Sequence, residues 1–173
     1  MSALSTDYAA ERLERSHASI QALLAGADAE LARWRPDVNR WSLVEIACHL
    51  RDEERADFPV RFELLLSARD EPFAPIDPEG WAIERAYRSE DLARVLADWR
   101  VEREGWLAWL RGLGEVDLTR ERVAPWGRPI SAGDMLAAWV AHDGMHLRQM
   151  LGVLHARLGA DAQPFGTEYA GTW

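Results

Sequence analysis

His142 and His146 stand four residues apart, so on a helix their side chains share one face about a turn apart. Stepping inward from Met135 by three and four, the stripe passes through Ala138 and Trp139 to His142, His146, Gln149 and Val153. A core-facing stripe should be apolar, yet this one carries two imidazoles and a carboxamide. A second segment breaks the same rule. Leu43, Ile46 and Leu50 define an inner stripe whose next positions are Glu53 and Asp57, with His49 at its edge, one turn before Glu53. Polar groups buried without partners cost several kcal/mol, and a divalent ion held by His49, His142 and His146 would compensate them.

A lone histidine on an apolar face is commonly just a hydrogen-bonded core residue, and an inward pair also arises by chance. The third histidine and the carboxylate on another helix tilt the reading toward a metal. Three imidazoles without a thiolate suit zinc, nickel, cobalt, copper or iron, and a three-ligand site keeps a position open for water or substrate. Water in that position ionises near neutral pH and becomes a nucleophile. Glu53 is the candidate for proton handling or for orienting a ligand, with Gln149 and Asp52 behind it.

Competing motifs are weaker. His142-Asp143-Gly144-Met145-His146 looks like the zinc-protease pattern with Asp for Glu, but Asp is too short and His155 lies in the wrong place for a third ligand. Cys48 adjoins His49 and points about 100° away from it, so it reads as a small core residue. His17 and His155 lack partners at ligand spacing. Gly144 inside a helix suggests close approach of a neighbouring backbone. Trp81, Trp126 and Asp77 sit in long connections and are candidates to line a pocket.

Four helices must position these groups. Ser42 and Glu45 form a capping box, with Trp41 and Ile46 as its hydrophobic staple. Ser131 and Asp134, with Ile130 and Met135, repeat the arrangement. A third helix opens at Ser89, with Glu90 and Asp91 at the positive end of its dipole, and runs to about Arg111. A first covers roughly Ser5 to Ala25. No period-2 strand pattern is evident. The expectation is an all-α, single-domain four-helix bundle over residues 1–173. Its second and third helices are joined by a long crossover, residues 68–88, containing Pro72, Pro75 and Pro78.

Composition narrows the function. The 173 residues suit one domain, and a hydrophobic fraction of 48% supports a sizeable core. The formal charge of −9, from 29 acidic and 20 basic residues, argues against nucleic acid as a partner. All the bases are arginine, so lysine Schiff-base chemistry is excluded. No stretch is apolar enough for a membrane span, the N-terminal segment does not read as a signal peptide, and the single cysteine agrees with a reducing compartment. The expected location is the cytoplasm.

Trp41-Ser42-x-x-Glu45-Ile46-x-x-His49-Leu50-x-Asp52-x-Glu54-Arg55, followed by His142-Asp143-x-x-His146-Leu147-Arg148-Gln149, resembles the DinB-like (YfiT-like) superfamily. Trp81-Ala82-x-Glu84-Arg85-x-Tyr87 looks like one branch of it. The resemblance implies a four-helix bundle, a three-histidine site for zinc or nickel on His49, His142 and His146, and a homodimer. It implies a metal-dependent enzyme acting on a small-molecule substrate, either a hydrolase or a transferase using a low-molecular-weight thiol. The alternatives are a non-catalytic metal- or ligand-binding protein of the stress response, and a bundle whose histidines are structural and whose role is dimerisation.

Overall fold

Ser5 starts the first long helix, α1 (Thr6–Leu24), by accepting a hydrogen bond from the Tyr8 N–H. The structure, a computed structural model, describes residues 4–173. A short α2 (Ala29–Arg33) lies in the first connection. The predicted capping box opens α3 (Leu43–Ala56), with the Ser42 N–H donating to Glu45 Oε2 at 2.9 Å. The chain bends at Asp57 and continues as α4 (Phe58–Leu66). Pro59 accounts for the bend: it lacks the N–H that an unbroken helix would use, and in a continuous helix its ring would clash with the carbonyl four residues back.

The crossover contains α5 (Pro78–Glu84), capped by Asp77, and a 3-10 turn at Tyr87–Ser89. The next long helix, α6 (Leu92–Gly112), starts later than the sequence suggests. Ser89 is absorbed in the 3-10 turn, and Asp91 is the cap, accepting from the Arg94 N–H at 2.9 Å. The other correction is a small antiparallel hairpin, β1 (Glu121–Val123) and β2 (Pro129–Ser131), with Arg122 opposite Ile130. Three-residue strands are too short to show alternation. Arg120 and Arg122 of this hairpin donate to the carbonyls of Leu66, Ser67, Leu64, Arg69 and Glu71, tying down the start of the crossover. Helix α7 (Ala132–Asp161) follows directly from the Ser131–Asp134 capping box.

The apolar core divides in two. One cluster joins the C-terminal half of α1, the N-terminal halves of α3 and α6, and Met150 and Val153 of α7. The other joins the N-terminal half of α1, α4, Leu107 and Leu110 of α6, and Met135 to Trp139 of α7. Helices α3–α4 and α6 therefore run parallel, and α1 and α7 run antiparallel to them. Parallel neighbours need a connection the length of the bundle, which is the role of the crossover. This is the expected four-helix bundle with its long link between the second and third long helices. No helix among the described residues is long and apolar enough to cross a membrane.

Between the two apolar clusters lies a polar layer, drawn from all four long helices. Arg103 of α6, 1% exposed, bonds Glu54 of α3 at 2.7 and 2.8 Å and Asp143 of α7 at 2.7 and 3.1 Å. It also donates to the Leu13 carbonyl of α1, and the Ser16 hydroxyl completes Asp143 at 2.5 Å. A buried charge is tolerated when each of its polar atoms is met in this way. The histidines occupy the same level.

Candidate metal centre

Helix α3 is not the one-sided helix that its stripe implies. Every residue from Leu43 to Glu54 is buried, because the crossover, α6, α4 and α7 cover it on all sides. Its polar residues are held by partners: Arg51 and Asp52 pair with each other, and Asp52 also accepts from Arg85 at 2.6 Å and from the Tyr87 hydroxyl at 2.7 Å. Asp52 thus latches the crossover and lies outside the histidine group. His49, on the same helix, is 6% exposed.

The structure brings His49, His142 and His146 together. His142 Nε2 lies 3.2 Å from His49 Nε2 and 3.0 Å from His146 Nε2, and the three ligand atoms fall within 4.8 Å of one another. Nitrogens each about 2.0–2.1 Å from a single zinc ion stand about 3.3 Å apart at tetrahedral angles, close to the observed spacing. Trp41 packs on the His49 ring at 5.1 Å and Phe58 on the His142 ring at 4.7 Å, so aromatic walls flank the group.

The hydrogen bonds test whether a metal fits. His146 Nδ1 lies 2.8 Å from Gln149 Oε1, and a carbonyl oxygen only accepts, so Nδ1 carries the proton and Nε2 keeps its lone pair. A single proton on His142 Nε2 cannot serve both neighbours. Whichever tautomers are chosen, one Nε2 at the centre of the triad lacks a partner. A cation among the three nitrogens removes that deficit, and this donor set suits a borderline divalent ion.

Charge points the same way. Burial, together with repulsion from the other two imidazoles, lowers the pKa of His49 to about 2. Burial and His146 lower that of His142 to about 3, and burial lowers that of His146. All three are neutral at physiological pH, which is the ligating form. Glu53 Oε1 is 3.7 Å from His49 Nδ1, beyond hydrogen-bond length, and neither atom has a hydrogen-bond partner. Burial and the neighbouring Asp57 push the Glu53 carboxyl well above the usual range, while Asp57 forms an ion pair with Arg61 at 2.6 Å.

Several expectations change. Asp143, set aside with the protease pattern, is 1% exposed and faces the core beside the ligands, whereas Ala138 is exposed and His142 half-buried. The inward stripe of α7 thus runs Met135, Trp139, Asp143, His146, Met150. Arg103 gave a signal that was missed: it sits four residues after Trp99 and four before Leu107, on the apolar face of α6. No close backbone approach explains Gly144, since a Cβ there would meet nothing within 4 Å. Cys48 is a core residue as expected, its thiol pushed up to about 12 by burial. His17 packs edge-on against Trp99, and His155 stacks on Trp173. Of the candidates in long connections, Asp77 caps α5 and Trp81 lies under the Arg85 guanidinium at 4.3 Å, while Trp126, in the hairpin loop, is exposed. The cavity nearest the histidines, about 690 Å3, is bordered by Arg40, Trp41, Glu45, Glu79, Ile83 and Gln149, among others.

Residues 12–150 match the DinB superfamily. No curated protein matches the chain in sequence. Among solved structures, YfiT from Bacillus subtilis, described as a probable metal-dependent hydrolase with an unusual four-helix bundle topology, shares the fold with a TM-score of 0.79 and 21% sequence identity. The likeness covers 92% of this chain and 90% of that one.

Proposed function

The chain belongs to the DinB superfamily, and from that premise we propose that it is a metal-dependent hydrolase of small molecules, with zinc or nickel held by His49, His142 and His146. The observation that carries the reading is the convergence of three neutral Nε2 atoms, two from buried rings and one from the half-buried His142, on one point. When bound, a divalent ion with three neutral nitrogen ligands supplies a Lewis acid and ionises water near neutral pH.

The chain's own residues have distinct parts. Gln149 Oε1 holds the Nδ1 proton of His146 and so fixes the ring with Nε2 inward. Glu53, near His49 Nδ1 and still protonated at neutral pH, is placed to hand a proton to the reaction as a general acid. Trp41 and Phe58 keep bulk water from the flanks of the triad. The description of YfiT favours hydrolysis over the thiol transfer that the sequence also suggests. The whole chain acting as one domain in the cytoplasm and, on the strength of the family resemblance, as a homodimer completes the reading. Sedimentation at twice the chain mass checks the dimer.

The test compares metal content in untagged wild-type protein and in His49→Ala. The expected result is close to one ion per chain in the wild type and a loss of most of it in the variant; equal content in both sinks the site. Ester and amide substrates, run beside a small thiol with an electrophile, then separate hydrolysis from thiol transfer.

A further inference from the structure

We propose that the cavity beside the triad binds a small monocarboxylate through Arg40, Asn39 and the Gln149 amide; the proposal rests on the hydrolase reading and names the substrate class of that site. The cavity holds about 690 Å3 and lies one side-chain layer from the histidines. Trp41 shares one face with His49, and Gln149 is bonded to His146.

Its polar groups divide unevenly. Arg35 and Glu45 both line it but are spent on each other, and Glu45 also accepts from the Ser42 hydroxyl at 2.6 Å. Gln149 has its oxygen committed to His146, which leaves its NH2 group free to donate. The Arg40 guanidinium lies over the bare backbone of Gly152, where an added Cβ would stand 3.3 Å from its Nη2. That places it one turn beyond Gln149 on α7, and neither it nor the Asn39 carboxamide has a protein partner. Three donors without protein partners thus border the same open cavity as one such acceptor, Glu79 of α5, with Arg40, Asn39 and Glu79 exposed at its mouth and Gln149 deeper, against the triad.

A carboxylate accepts from a guanidinium through two parallel bonds and takes further donors on its remaining lone pairs. An amide N–H elsewhere in the same molecule matches Glu79. Trp41, Ala82 and Ile83 offer apolar surface for the rest of such a ligand. Three neutral histidines would also leave a divalent ion's charge uncompensated, which adds attraction for an anion. The fitting ligand is an N-acylated amino acid or a molecule of similar build.

Isothermal titration of the full chain with hippurate and hippuramide, which differ only in carboxylate against carboxamide, tests the proposal. Hippurate binds at least tenfold more tightly to the wild-type protein, with or without zinc, and Arg40→Gln brings the two ligands within twofold. Equal affinities in the wild type, absence of binding by either ligand, or a preference that survives Arg40→Gln overturns it. A hippurate preference without metal-dependent turnover of esters or amides overturns the hydrolase reading and leaves the carboxylate site standing. Turnover of a neutral ester without that preference does the reverse.

Discussion

His49, His142 and His146 are held without charge because burial removes the water that would solvate an imidazolium, and each ring is close to the other two. His17, lowered to about 4 by burial and then by Arg103, behaves alike. In the unfolded chain these groups titrate near 6.5, so between that value and the folded values the unfolded state binds more protons. Stability of metal-stripped protein therefore rises with pH across this window. Glu53 has the opposite sign: its raised folded pKa keeps a proton that the unfolded chain loses above about 4.5, so its contribution shrinks as pH rises. Burial raises Glu54 in the same sense, and four histidines outweigh the two carboxyls on the acid side. The expected melting temperature of chelator-treated protein climbs from pH 4 to about 6.5–7 and then declines. Glu53→Gln makes the decline shallower and keeps the acid limb; an unchanged alkaline limb, followed by circular dichroism, contradicts the placement of Glu53. The histidine pair was legible because i, i+4 spacing survives any detail of packing. Asp143 was not, because its role depends on Arg103, 40 residues away in sequence, and no local pattern announces that partner.

Element by element, the polar layer explains why an ordinary amphipathic reading locates the helices and misreads their faces. Caps at Ser42 and Ser131 are local chemistry and were readable, as was the need for a crossover rich in proline. The faces of α3 and α7 are set by what four helices bring to one level. Arg103 is the residue on which that level depends, since it alone joins Glu54, Asp143 and the Leu13 carbonyl. Arg103→Met leaves two buried carboxyl groups without their cation and is expected to cost about 3–5 kcal/mol in urea unfolding. Combining it with Glu54→Leu and Asp143→Leu should recover most of that loss, because replacing a whole buried ionic group with apolar residues is often neutral. A single variant that costs less than about 1 kcal/mol would show that the layer is hydrated and contributes little. The hairpin at 121–131 illustrates the other limit of sequence: its short strands are fastened by arginine-to-carbonyl bonds across more than 50 residues.

Over the whole molecule, the triad is where α3 and α7 meet, while α3 packs chiefly on α6, and α7 on α1 and α4. An ion at the triad would join two helices that otherwise share little, and it would bind the folded state only, because the three nitrogens are gathered by folding. With free zinc at about a hundred times its dissociation constant, the expected stabilisation is about 2.7 kcal/mol. At about 2–4 °C per kcal/mol for a domain of this size, the melting temperature rises by about 5–11 °C. A surface with a net charge of −9 also gathers cations without specificity, so a rise alone proves little. Calcium separates the two effects, because it takes oxygen ligands and matches the acidic surface but not three imidazoles. Zinc is therefore expected to raise the melting temperature of the wild type, calcium at equal concentration to leave it nearly unchanged, and His49→Ala to lose the zinc response. An equal shift from both ions, or a zinc shift that persists in His49→Ala, would place the bound cations on the surface and leave the triad as part of the polar layer alone.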